Sequence, residues 1–266
     1  LQGRVDPGLY QPSALSAAEL AQGKVLLCCA TALEDVEIEY QASTAPKNFQ
    51  EYQARVVKMQ KLTHDVMQVL LKLPEGERIA FKAGQYINII LEDGQRRAFS
   101  FANPPQQAEF VELQIRLMPG GRFTTHVFER MQEGDQIRFE GPIGDFTLRE
   151  SERPIVFVAG ATGFAPVKSM VEDAFQRGLK RQIHLYWGVR SLKDLYLPDL
   201  PALWAREHAN FHFIPVLSDP APEDDWTGRT GLVHEAILED FPELKQHEIY
   251  ACGSVRMVEA IFPFLK

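Results

Sequence analysis

The stretch "PIVFVAG" at 154–160 constrains the fold more than any other. Its run of apolar residues leaves no polar face for water, which predicts a parallel strand buried on both sides. The segment after it places Val167, Met170, Val171, Ala174 and Phe175 at helical spacing, with Gly178 as a stop signal. "QIHLYWGVR", a helix near 200–207, "FHFIPVL", a helix near 231–239 and "EIYACG" continue the alternation. Strands alternating with helices predict an α/β domain over 151–266, a parallel sheet covered by helices on both faces.

Upstream the texture differs. In "VLLKL", Val69, Leu71 and Leu73 alternate with Leu70 and Lys72, a period of two residues. "QYINIIL", "RRAFSF", "FVELQIRL" and "DQIRFEGP" follow, separated by glycine and proline turns. This pattern predicts an antiparallel β-barrel over 53–150, interrupted by one helix at about "RFTTHVFERMQ". Residues 1–43 read as a separate unit: a hairpin-like "GRVDPGLY", a short helix capped by Ser16 with Glu19, and a strand "VEIEY". Residues 44–52 fall in a polar linker.

Composition narrows the function. At 266 residues the chain is long enough for two domains with real cores. The net charge of −8 argues against general nucleic-acid binding. Three cysteines in this length argue against a disulfide scaffold and for a reducing, cytoplasmic setting. No apolar run approaches a membrane span. The seven histidines show no metal spacing, and neither a G-x-S-x-G elbow nor a Walker A loop is present. The chain opens on Leu1 rather than Met, and "EAIFPFLK" reads as a helix cut short, so a longer parent is expected.

Four stretches carry candidate chemistry. In "VFVAGATGFAPVKSM", Gly160 and Gly163 flank Ala161 and Thr162 between a strand and a helix; the turn is either a pyrophosphate cradle or a plain tight turn. In "RRAFSFANPP", Arg97, Phe99 and Ser100 precede Asn103, a set able to pair a phosphate, stack a ring and bond its edge, or an ordinary edge strand. In "MPGGRFTTHVF", Gly120 and Gly121 precede a helix carrying Thr124 and Thr125, which is a second phosphate cradle or a capped helix. In "YACGSVRM", Cys252 and Gly253 end a strand where open α/β sheets bind ligands, although most such cysteines are inert. Adjacent Cys28 and Cys29 in "KVLLCCA" cannot readily bridge each other and fall short of a closed zinc site.

The order of these signals is specific. R-x-F-S-x-x-N, G-G-x-x-T-T, G-P-I-G, G-A-T-G-x-A-P, Y-W-G-V-R and C-G together resemble the ferredoxin–NADP⁺ reductase superfamily, over about 53–260. The sequence looks most like three-part bacterial reductases with an amino-terminal [2Fe-2S] ferredoxin, among them CDP-6-deoxyglucoseen reductases and the reductase components of aromatic-ring dioxygenases. The resemblance implies that Arg97 neutralises an FAD phosphate, Phe99 packs on the isoalloxazine, and Ser100 bonds near its N5. Asn103 belongs to the same flavin motif. It implies that Gly120, Gly121, Thr124 and Thr125 hold the FAD pyrophosphate. Gly160, Thr162 and Gly163 then meet the pyrophosphate of NADH or NADPH, with Arg190 near its adenosine end and Cys252 and Gly253 by the nicotinamide. Ser100 and Cys252 are the expected catalytic pair.

Three departures are visible. The family's usual tyrosine is Phe99 here, and Ser254 and Val255 stand where prolines often follow C-G. The family's terminal aromatic segment has no counterpart before Lys266. Cys28 matches the fourth ligand of a plant-type [2Fe-2S] cluster, with the other three expected upstream of Leu1. The implied activity carries electrons from NAD(P)H through FAD to the cluster and on to an oxygenase or dehydrase. A free-flavin NAD(P)H reductase and a non-catalytic flavin-binding interaction subunit are the alternatives.

Overall fold

The computed structural model describes residues 3–8, 17–25, 30–37 and 50–264. The chain divides into a small unit, Leu1–Asn48, and a large one, Phe49–Lys266. In the small unit strand β1 (Val5–Asp6) pairs antiparallel with β2 (Thr31–Ala32), Val5 opposite Ala32. The expected local hairpin is therefore a longer-range pair, with helix α1 (Ala17–Ala21) between its strands. Ser16, Cys28, Cys29 and most of "VEIEY" lie outside the described residues.

The large unit opens with six antiparallel strands: β3 (Gln50–Lys61), β4 (Val66–Lys72), β5 (Tyr86–Ile90), β6 (Arg96–Ser100), β7 (Phe110–Arg116) and β8 (Gln136–Ile143). Because β3 begins at Gln50, the last residues of the expected linker 44–52 are strand. The spatial order is β6-β5-β8-β3-β4-β7. Just past β6, Ala102 N–H donates to Glu112 O on β7 at 2.9 Å and draws the two outer strands together. The period-two reading of β4 holds, since Val69 and Leu71 are buried and Lys72 is exposed. Each such buried aliphatic contributes about 1.5–3 kcal/mol. Helix α2 (Arg122–Glu129) inserts Phe123 and Val127, one turn apart, into this core.

Five parallel strands follow: β9 (Ile155–Gly160), β10 (Ile183–Val189), β11 (Phe211–Leu217), β12 (Arg229–Thr230) and β13 (Glu248–Cys252). Their order is β12-β11-β10-β9-β13. Alternate residues of β9 serve opposite faces: Ile155, Phe157 and Ala159 join one core, Val156 and Val158 the other. Helices α3 (Phe164–Gln176) and α4 (Asp199–Glu207) build the first core, and α5 (Val233–Asp240) the second. Gly178, at φ +70°, ends α3 as its stop signal predicts. Helix α6 (Val255–Glu259) is short and a 3₁₀ turn at Phe262–Phe264 follows it, so "EAIFPFLK" is not the continuous helix expected. Pro263 cannot continue an α-helical hydrogen-bond ladder. Among the described residues no helix is long and apolar enough to cross a membrane.

The barrel and the parallel sheet meet along α3 through polar contacts. Lys168 Nζ donates to Ala102 O at 2.9 Å and to Glu112 Oε2 at 3.0 Å. Ser169 Oγ donates to Asn103 O at 2.7 Å, and Gln106 Nε2 to Asp173 Oδ1 at 2.8 Å. The chain proceeds from β9 outward in one direction and returns with β13 on the other side. That reversal opens a crevice at the carboxyl ends of β9 and β13.

Candidate functional site

A cleft of about 810 Å³ occupies this crevice and extends onto the barrel. It is lined by Arg97, Phe99, Ser100, Gly121 and Thr124 from the barrel half. Gly160, Thr162, Gly163, Arg190, Cys252 and Gly253 line it from the parallel-sheet half. Two separately read sets of residues thus share one site.

Strand alternation sorts the two arginines of β6. Exposed Arg96 pairs with Glu140 at 2.7 Å, whereas Arg97 lines the cleft. The Arg97 guanidinium donates to Arg96 O at 2.8 Å and Gln95 Oε1 at 2.6 Å, and among the described residues it has no carboxylate partner. It is therefore a cation available to an anionic ligand. The Phe99 ring lies 5.4 Å from Phe123, tilted by 49°.

At the start of α2, the first-turn N–H groups of Arg122, Phe123 and Thr124 have no hydrogen-bond partner among the described residues. Amides of this kind, aided by the helix dipole, suit a phosphate. Thr124 Oγ1 accepts from Met118 N–H at 3.1 Å and lies 3.2 Å from Gly121 O, so its hydroxyl shapes the turn. A Cβ on Gly121 would come within 2.6 Å of that hydroxyl.

Three expected residues are not brought to the cleft wall. Asn103 is buried, donating to Phe110 O at 3.0 Å and accepting from Glu112 N–H at 2.9 Å, so its amide braces the loop after β6. Gly120 takes φ +74° in the preceding turn, and Thr125 N–H donates to Gly121 O inside α2. Cys28 lies outside the described residues.

The glycines after β9 have a different first duty from the one expected. A Cβ on Gly163 would collide with the Cys252 carbonyl, and one on Gly160 would sit 2.6 Å from Met257 Sδ. A Cβ on Gly253 would lie 3.0 Å from Gly160 Cα. These residues let the β9–α3 and β13–α6 turns touch, which draws Cys252 to the cleft. Ala161 takes φ +46°, a costly conformation for a residue with a side chain, and its carbonyl accepts from Trp187 Nε1 at 3.0 Å. Burial pushes the Cys252 thiol up to about 11, so it is neutral at ordinary pH. Arg190 is exposed and already paired, its Nη2 2.9 Å from Asp219 Oδ2.

Gln114 and Asp219 were not anticipated. Gln114 lines the cleft and is 4% exposed. On an alternating strand such as "FVELQIRL", Glu112 and Gln114 read as a solvent-facing pair, and only the docked second half buries them. Among the described residues that line the cleft there is no histidine, aspartate or glutamate. An unpaired arginine, unpartnered helix amides, an aromatic ring and a glycine turn at a sheet switch point do fit a flavin and a nicotinamide dinucleotide.

Comparison with known proteins agrees. Residues 53–148 match the family described as the oxidoreductase FAD-binding domain, and 157–262 the oxidoreductase NAD-binding domain. The chain is 38% identical to CDP-6-deoxy-L-threo-D-glycero-4-hexulose-3-dehydrase reductase of Yersinia pestis, over 98% of this chain and 78% of that protein. It is 36% identical to reductase component 1 of terephthalate 1,2-dioxygenase from Comamonas sp., over 90% of this chain and 71% of that protein. Among solved structures, the cytochrome P450 reductase GcoB of Amycolatopsis superposes with a TM-score of 0.78 at 35% identity, over 100% of this chain and 80% of that one.

Proposed function

The chain belongs to the ferredoxin–NADP⁺ reductase superfamily of FAD- and NAD-binding oxidoreductases, and we propose that it is the reductase component of a multicomponent enzyme, moving electrons from NAD(P)H by way of FAD to an iron–sulfur centre and then to an oxygenase or dehydrase. The observation that carries this reading is the single cleft onto which both Arg97–Phe99–Ser100 and Gly160–Gly163–Cys252 open. Its relatives are named as reductases of a dehydrase and of a dioxygenase, which is the basis for the partner class. Cys28 as a ligand of the iron–sulfur centre rests on the sequence resemblance.

An FAD held here would supply hydride acceptance from reduced nicotinamide and one-electron release. The protein's part is to hold and to exclude. Arg97 and the first-turn amides of α2 hold phosphate charge, Phe99 flanks the flavin ring, and Ser100 offers a hydroxyl at its edge. On the other wall, Thr162 and the glycine turn receive the dinucleotide. Cys252, with a neutral thiol, limits how deeply the nicotinamide ring seats. Near-attack placement of two rings needs orientation rather than an acid or base.

Purified protein loaded with FAD should lose its flavin absorbance when NADH is added under argon; no bleaching by NADH or NADPH would sink the proposal. Flavin retained through gel filtration distinguishes the reductase component from an enzyme that releases free flavin. Arg97→Ala should raise the FAD dissociation constant about 10- to 150-fold, or roughly 1.5–3 kcal/mol, the scale of a charge-assisted hydrogen bond. Isothermal titration of the apoprotein with FAD measures it, and an unchanged constant removes Arg97 from the site.

The Arg190–Asp219 pair bears on nucleotide choice. A 2′-phosphate approaching Arg190 meets the Asp219 carboxylate on the same guanidinium, so NADH should be preferred. Asp219→Ser frees the cation and should shift kcat/KM toward NADPH about tenfold, equivalent to about 1.4 kcal/mol. Steady-state kinetics with both nucleotides would show it, and an unaltered ratio places the pair outside the adenosine subsite.

A further inference from the structure

Gln114 is the buried polar group on the cleft wall that the proposed chemistry leaves without a task. Its orientation is fixed from both ends. Tyr196 OH donates to Gln114 Oε1 at 2.6 Å. Burial holds the Tyr196 phenol well above its ordinary pKa, so it keeps its proton and remains a donor. The amide oxygen is thereby committed to the nucleotide half, and Nε2 is turned away from Tyr196.

Nε2 makes a long contact, 3.3 Å, with Glu112 Oε1. Glu112 is in turn held by Gln68 Nε2 at 2.8 Å and by Lys168 Nζ at 3.0 Å. Lys168 is pinned by Ala102 O and by Glu172 Oε2 at 3.1 Å. A flipped amide would set its oxygen against the Glu112 carboxylate, which cannot donate, and would take from the Tyr196 hydroxyl proton its acceptor. A primary amide carries two N–H bonds, and among the described residues only one finds an acceptor. Tying the two halves together does not require this donor, because Lys168 and Ser169 already do so.

We propose that Gln114 donates its remaining N–H to a carbonyl oxygen of the ring system seated in the cleft, with Tyr196 as the positioning residue that sets the amide. The inference rests on the flavin and nicotinamide reading of the cleft. Both the pyrimidine ring of a flavin and the carboxamide of a nicotinamide present such an oxygen, and separate measurements distinguish them.

The variants are Gln114→Met, of similar shape without the donor, Gln114→Glu, and Tyr196→Phe. Loss of one neutral hydrogen bond corresponds to about a 3- to 10-fold change in affinity. If the acceptor is on the flavin, Gln114→Met raises the FAD dissociation constant by that factor and shifts the visible spectrum of bound flavin. If it is on the nicotinamide, the FAD titration and spectrum stay as in wild type. The dissociation constant for NAD⁺ and the KM for NADH then rise instead. Gln114→Glu donates only while its carboxyl is protonated, so its lost affinity should return as pH is lowered, a dependence absent from wild type and from Gln114→Met. The groups facing that carboxyl are Glu112, Tyr196 and, through Glu112, Lys168. Tyr196→Phe should give a smaller loss of the same kind, about threefold, and keeps the test open if a Gln114 variant fails to fold. Wild-type FAD and NAD⁺ affinities, spectrum and KM in a folded Gln114→Met protein would overturn the proposal. Failure of NADH to bleach the wild-type flavin would count against the electron-transfer reading alone, because both titrations would still test Gln114.

Discussion

Gly163→Ala is expected to slow flavin reduction by NADH about 100-fold while leaving FAD affinity within about twofold of wild type. The residue has φ −60° and ψ −10°, so alanine suits its backbone and the effect is steric. The added Cβ would collide with the Cys252 carbonyl and lie 2.9 Å from Gly253 N. Both obstacles are main-chain atoms, which cannot rotate aside as a side chain can. The β13–α6 turn must retreat, and the cleft wall formed by Cys252 and Gly253 moves with it. Overpacking of this kind costs about 1–3 kcal/mol of stability, and a displacement near 1 Å costs about two orders of magnitude in rate. Arg97, Phe99 and the start of α2 belong to the barrel half and should still take FAD. Stopped-flow reduction, FAD titration and a thermal melt on one preparation separate these effects. A wild-type reduction rate would show that the two turns do not have to touch.

The sequence made the two halves readable because each rests on local periodicity. Strand β4 alternates by two, β9 is apolar throughout, and α3 repeats Val167, Met170, Val171 and Ala174 on one face. What was hidden depends on contacts between distant segments. Val5 meets Ala32 rather than a neighbour, and no local pattern encodes that pairing. Lys168, Ser169 and Asp173 are buried on α3, although helical spacing assigns such residues to water, because a polar face of the barrel covers them. The same covering hides Glu112 and Gln114. Asn103 sat within the flavin motif and proved to brace its own loop, a distinction set by hydrogen-bond partners and invisible in spacing. Gly160, Gly163 and Gly253 were read from the sequence as parts of a dinucleotide cradle, and all three line the cleft. Their immediate neighbours are each other, Met257 and the Cys252 carbonyl, a reason only the packed turns reveal.

Cys252→Ala should slow flavin reduction by about 10- to 1,000-fold, roughly 1.4–4 kcal/mol in the barrier, with FAD binding intact. The thiol ends β13 beside the turn that Gly163 holds, so removing sulfur opens space where a planar ring should be stopped. Its state of protonation gives a second, independent readout. Burial raises the thiol from 9.0 to about 11, which means the folded state holds its proton more tightly than the unfolded chain does. The resulting stabilisation is complete below pH 9 and is lost as pH climbs toward 11, on the order of 3 kcal/mol at most. Urea unfolding at a series of pH values should therefore show a decline above pH 9 in wild type that is shallower in Cys252→Ala. Between pH 6 and 9 the thiol stays neutral, so the wild-type reduction rate should have no inflection from this group. If Cys252→Ala reduces at the wild-type rate with NADH and with NADPH, the sulfur does not set ring placement. If the alkaline decline in stability is nonetheless lost, Cys252 is a core thiol, and the stop for the nicotinamide must be sought among the main-chain atoms around Gly160 and Gly253.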